Sequence, residues 1–220
     1  MLGRGREGYT IITGLLQLKK DHAQKASKVL ADAFFDDAFY RHVFPDIETR
    51  KKVLPLIYET ITSLFVAKGM AYATSENMEG VMLVRGSGEG FDPGAFFRAL
   101  KMLRVLRYVP LIKTIRRSMP FRAIWEGLDH FFKRYKGFIW LDMIAVDPGH
   151  RHGGHMGRMM RALLADVDAK QTFCMLETET PGNVPIYEHY GFRLIRAGEV
   201  QPQNVPFFYM VYDPMGIVKE

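Results

Sequence analysis

The chain has 220 residues, 48% of them hydrophobic, a single cysteine and a formal net charge of +6. That length and apolar content are enough to bury one domain's core. The opening MLGRGREGYT lacks the apolar run of a secretory signal, and no later run nears the roughly 20 apolar residues of a membrane span, so a cytoplasmic protein without a span is expected. Cys174 has no partner for an internal disulfide, which fits a reducing compartment, and its strand-like surroundings read as a buried, inert thiol.

In chain order, the β-branched run YTIITGLLQL reads as a first strand. Asp21 then caps a helix through about Phe35, with Ala23, Ala26, Val29, Leu30 and Ala33 at helical spacing. A second helix is expected from Ile47 to about Lys68, kinked or ended at Pro55, where a backbone donor is lost. GMAYATS and GVMLVRG, separated by SENMEG, form a hairpin. From Pro93 to about Lys136 the pattern is helical again, broken at Pro110 and Pro120 into three short helices, with Phe96, Ala99, Leu100, Leu103 and Leu106 as one stripe.

GFIWLDMIAVDP is the clearest strand, closed by Asp147 and Pro148; RMMRALLADVDAK follows as an amphipathic helix. TFCMLETET is a neighbouring strand, VPIYEHY a short helix, and GFRLIRAGEV and PFFYMVYDP two last strands. The class is α/β or α+β with a mixed sheet. The segment from Arg98 to Lys136 holds eleven cations against Glu126 and Asp129, a charge of +9 that leaves −3 for the rest. Such a segment is a solvated helix face or a surface for nucleic acid, anionic lipid or an anionic cofactor.

Between the clearest strand and its helix lies GHRHGGHMGRMM, where His150, His152 and His155 interleave with Gly149, Gly153, Gly154 and Gly157. Three histidines on one turn, without helical i, i+4 spacing, make a poor metal site, and no metal is expected. A glycine turn opening a helix suits an anion better, because the first-turn N–H groups lack partners and the helix dipole adds positive charge. Gly153 and Gly154 allow close backbone approach, and Arg151 and Arg158 add charge. The bland alternative is a tight turn and nothing more.

The C-terminal half resembles the GNAT superfamily of acyl-CoA-dependent N-acetyltransferases over roughly Leu141 to Tyr212. The family's pyrophosphate signature, Q/R-x-x-G-x-G/A, is met at Arg151 and Gly154 but not at Met156, with Gly157 one position later. MLETETPGNVPIYEHYGF carries L-E-T, N-x-P-x-Y-E and G-F elements most similar to puromycin N-acetyltransferase-like members. The resemblance implies a mixed, mostly antiparallel twisted sheet with helices on both faces. One GNAT-like domain would cover residues 1–220, with an acceptor-side half, 1–135, bearing a helical insertion at about 93–136. Residues 136–220 would form the acetyl-CoA-binding half.

The activity it implies is direct attack of an amine on the acetyl-CoA thioester in a ternary complex. A general base helps the amine lose its proton, and strand alternation puts Phe173, Met175, Glu177 and Glu179 on one face, with Glu177 the first choice and a structural carboxylate the alternative. Asp36 and Asp37 either orient a cationic amine or cap a helix. Tyr187 occupies the position of the acid that protonates the leaving thiolate, or is a core aromatic; Tyr190 reads as packing. Asn183 bonds the CoA arm or caps the short helix. The backbone of Met143, Ile144, Ala145 and Val146 would hold pantetheine, and the turn from Arg151 through His152, Gly153, Gly154, His155, Met156 and Gly157 to Arg158 the pyrophosphate. A small-molecule or peptide amine is the expected acceptor and no specific nucleic acid is expected; a non-catalytic acyl-CoA sensor is the alternative.

Overall fold

The computed structural model describes residues 12–86, 100–122, 124, 131 and 133–219. A short strand β1 (Leu16–Gln17) leads through a 3-10 turn into α1 (Ala23–Ala33), α2 (Ala38–Val43) and α3 (Ile47–Ala67). The hairpin β2 (Ala71–Ala73) and β3 (Gly80–Gly86) follows, and after a 3-10 segment at Leu100–Arg107 come α4 (Leu111–Ser118) and β4 (Ile139–Val146). The chain closes with α5 (His155–Ala169), β5 (Cys174–Thr178), α6 (Val184–His189), β6 (Arg193–Val200) and β7 (Val205–Tyr212).

One sheet takes all seven strands in the order β1-β2-β3-β4-β5-β7-β6. β4 and β5 run parallel, and the other neighbouring pairs run antiparallel. The period of two sorts side chains onto opposite faces. Ala71, Ala73, Val81, Leu83 and Ala145 meet α1 and α3 on one side. Met82, Leu141, Cys174 and Leu176 meet α5 and α6 on the other. Phe173 and Met175 of the β5 segment instead join Phe138, Trp140 and Tyr209. The mixed, mostly antiparallel sheet with helices on both faces is the one expected.

Three local expectations are corrected. Pro55 does not break α3, which runs through it. Its ring lies on the exposed side, where water can take the freed carbonyl, while Val53, Leu54, Ile57 and Tyr58 are buried and hold the helix to the core. The sequence reading also missed α2, which Asp37 starts by accepting from the Phe39 N–H at 3.0 Å. Finally, Leu100, Leu103 and Leu106 do line up, as a period of three requires in a 3-10 segment, but they are exposed, and Val105 and Val109 are buried instead. Phe96 and Ala99, like the start of the first expected strand, lie outside the described residues.

Candidate active site

The central feature is a divergence of two strands. The β4–β5 ladder has three pairs and ends at Leu141↔Leu176. One residue later β4 bulges: Val84 pairs with Leu141 and Leu83 with Met143, leaving Asp142 as the extra residue. A bulge bends its strand and increases its twist, so β4 leaves β5 and a cleft opens between Asp142–Val146 and Glu177–Thr178. Met143, Ile144, Ala145 and Val146 stay paired with β3 on their other side. Their cleft-side edge therefore offers strand backbone to an extended, amide-bearing ligand.

The glycine turn sits at the end of β4. Asp147 anchors it, accepting from the Gly149 N–H at 2.8 Å, with His150 Nδ1 at 3.3 Å. His152 (φ 67°) and Gly154 (φ 75°) take left-handed conformations that reverse the chain into α5. No side chain caps that helix, so its first-turn N–H groups remain available to an anion. Arg151 and Gly153 are exposed beside them. Arg158 Nη2 donates to the Gly14 carbonyl at 2.9 Å, which pins α5 to the first loop.

Met156 does not intrude on this turn: its side chain packs with the apolar cluster between α5 and the sheet. Gly157 has a packing task, since a Cβ there would meet the Tyr190 hydroxyl at 3.1 Å and Arg161 Nη1 at 3.0 Å. The His150 and His155 rings are 6.2 Å apart. Among the described residues no group of three His, Cys, Asp or Glu side chains is placed to hold a metal.

Carboxylates from three elements gather where the strands part. Glu177 Oε1 is buried without a hydrogen-bond partner. Burial first, and then the charges of Glu179, Asp37 and Asp142, push the Glu177 carboxyl well above the usual range. Glu179 is pushed up to about 7 by burial and by Asp37. Asp37 is itself raised by burial despite its backbone hydrogen bonds, so it caps α2 and faces the cluster as well. Asp142 is paired with Arg85 at 2.8 Å, whereas the exposed Asp36 lies 3.5 Å from Arg50.

Aromatic rings frame these acids. The Tyr40 and Tyr58 rings lie 5.8 Å apart, and both groups feel Asp37 and Glu179. Tyr58 stacks on Phe34 at 5.8 Å, and Tyr40 meets Phe39 edge-on at 5.1 Å. Tyr187, buried on α6 beside Phe192, has its phenol raised by burial and then by Glu177, and so stays protonated. Asn183 does not cap α6; its Nδ2 donates to Thr178 Oγ1 at 3.0 Å. Cys174 is fully buried and its thiol is pushed up by that burial, which leaves it inert.

Sequence reasoning found Glu177 and placed Glu179 on the same face. It missed Asp142, Tyr40 and Tyr58. Asp142 had a signal, an isolated acid inside the apolar run IWLDMIAV. The two tyrosines had none, because only the packing of α2 against α3 brings them together.

Comparisons with known proteins agree with this fold. A family model described as an acetyltransferase (GNAT) domain matches residues 134–195, the stretch from the approach to β4 into β6. An uncharacterized N-acetyltransferase of Schizosaccharomyces pombe is 21% identical over 215 residues, covering 89% of this chain and 81% of its own length. Among solved structures, the C-terminal condensation domain of Ebony in complex with beta-alanyl-dopamine superposes with a TM-score of 0.63 at 12% identity, covering 90% of this chain and 97% of that one. A putative arylalkylamine N-acetyltransferase 7 of the yellow fever mosquito Aedes aegypti gives 0.59 at 14% identity, with 90% and 86% covered. The chain therefore has the GNAT fold, and its residues 134–195 match the acetyltransferase domain model of that family.

Proposed function

We propose that the protein transfers the acetyl group of acetyl-CoA to the primary amine of a small cationic molecule by direct attack in a ternary complex. The observation that carries this reading is the end of β4–β5 pairing at Leu141↔Leu176, with an uncapped helix N-terminus after β4 and a buried, unpartnered Glu177 oxygen on β5. The strand edge of Met143–Val146 holds the pantetheine arm, the turn from Arg151 to Arg158 holds the pyrophosphate, and Asn183 steadies the arm from the far side. Acetyl-CoA supplies the thioester.

Glu177 and Glu179 act together on the incoming ammonium. An arriving cation offsets their mutual repulsion and favours their ionised forms, and the pair then accepts the amine proton. Glu179, at about 7, is the member poised to change charge near neutral pH. Asp37 completes the negative wall, and Tyr187 donates a hydrogen bond to the departing sulfur. Residues 1–135 supply Asp37, Tyr40 and Tyr58 on the acceptor side, and 136–220 supply the cofactor side. The framing by Phe34, Phe39, Tyr40 and Tyr58 suits an amine with a flat or apolar body, in keeping with the arylalkylamine named for one structural neighbour. The L-E-T and N-x-P-x-Y-E elements keep puromycin-type aminonucleosides among the acceptors. No described helix is long and apolar enough to cross a membrane, and we place the enzyme in the cytoplasm.

The test is thiol release from acetyl-CoA over a panel of arylalkylamines, aminonucleosides, polyamines and peptide amines. Turnover is expected with compact cationic amines. Tight acetyl-CoA binding with silence across the panel would replace this reading with that of a non-catalytic acyl-CoA sensor.

A further inference from the structure

The segment between Leu100 and Phe121 is built in an unusual sense. α4 has no buried residue, and it rests on the protein through the half-buried Thr114 and Ser118 and through Arg117, whose Nη1 donates to the Val43 carbonyl. At about 100° per residue, Leu111, Ile115, Met119 and Ile112 fall within a single arc of about 100° that does not face the core. Ile112 is 75% exposed and Met119 57%. On the preceding 3-10 segment Leu103 is 58% exposed as well.

Aliphatic side chains held in water in this number mark a contact surface, and the charge around them indicates with what. From Leu100 to Phe121 the cations are Lys101, Arg104, Arg107, Lys113, Arg116 and Arg117, and there is no carboxylate. Lys101 and Arg104 are bridged to Glu59 of α3; Arg116 lies about 40° beyond the apolar arc, and Lys113 follows it on the same flank about 100° beyond. A basic rim beside an aliphatic ridge is the pattern of a helix that lies in a lipid interface, where the apolar arc enters the acyl boundary and the cations meet anionic headgroups.

A nucleic acid would use the cations but offers no hydrocarbon for Leu103, Ile112 or Ile115. Phe131 and Tyr135 are also committed, packing on Phe173, with Phe131 on Phe138 as well, which leaves Tyr108 as the exposed ring among the described residues of this segment. We propose that the surface formed by Leu103 and α4 is a peripheral docking site for an anionic membrane. α4 packs against α2, so docking would bring the Asp37 end of the acceptor site close to the bilayer.

The test is co-sedimentation with vesicles of phosphatidylcholine alone and of phosphatidylcholine with about a third phosphatidylserine, at low and high salt. The protein should bind the anionic vesicles, more weakly in high salt, and should largely ignore the neutral ones. An I112D/I115D double variant should bind them about tenfold or more weakly, with unchanged melting temperature and acetyl-CoA affinity because both residues are exposed. Failure of the wild-type chain to bind, or undiminished binding by the double variant, overturns the proposal. So does tighter binding to duplex DNA than to vesicles, or a dimer in light scattering that the same aspartates dissociate. Vesicle binding needs no acetyl transfer, so failure here leaves the proposed reaction untouched.

Discussion

Replacing Glu179 by Gln should stabilise the protein while weakening its hold on the amine. Glu179 is raised from 4.5 to about 7 because folding places its carboxyl in a poorly solvated site facing Asp37. Each tenfold gain in proton affinity on folding corresponds to about 1.4 kcal/mol. The sign follows from proton counting: the folded state holds this proton more tightly than the unfolded chain, so stability falls as pH rises from the unfolded value toward the folded one. Below about 4.5 both states are protonated and the cost is absent; above about 7 it is complete, roughly 3 kcal/mol, reduced to about 2 by solvent reaching a half-buried group. At 2–4 °C per kcal/mol for a chain of this size, the E179Q variant should melt about 4–8 °C higher at pH 8.5, with a difference of no more than about 2 °C at pH 5. Differential scanning fluorimetry across pH measures this, and the same samples should show a raised KM for the amine. A melting difference that does not grow with pH would refute the reasoning, because it would mean that Glu179 is not held among like charges out of water.

Tyr187→Phe keeps the buried ring and removes the hydroxyl, so kcat should fall by about 10-fold to 100-fold, with acetyl-CoA affinity unchanged by calorimetry; unchanged turnover would remove Tyr187 from the chemistry. A Cβ at Gly154 would meet nothing within 4 Å, but Gly154→Val forces a branched side chain into a left-handed conformation at φ 75°, at a cost of about 1–2 kcal/mol. That strain should appear as about tenfold weaker acetyl-CoA binding or as an equivalent loss of stability, and the turn would not be the anion site if both stayed at wild-type levels.

How much of this was readable from the chain depends on how far apart the cooperating residues lie. The strand from Ile139 to Val146, the turn after it and α5 form one contiguous run, and their signals are local: an apolar strand, left-handed glycine, an amphipathic helix. Hence this strand, turn and helix were visible as a pattern. Even there Met156 looked like a defect in the turn, and only the packing of α5 on the sheet shows its side chain turned away into the core. The carboxylate cluster is different in kind. Asp37 comes from the start of α2, Tyr58 from the middle of α3, and Glu177 and Glu179 from the end of β5 and just past it. No spacing rule links positions as far apart in the chain as Asp37 and Glu179, and a capping aspartate looks the same in sequence whether or not it also faces a buried glutamate.

The same distance explains the energetics. Each acid, read locally, has an ordinary structural role: Asp37 caps, and Glu177 ends a strand opposite Tyr209. Brought together, they raise one another's proton affinity and leave Glu177 Oε1 buried and unpartnered. An unsatisfied carboxylate of that kind destabilises the fold, and core packing could readily have replaced it with an apolar side chain. A cation arriving in the cleft supplies the missing partner, so the carboxylate cluster that costs the fold stability is the feature that would give the site its affinity for an amine.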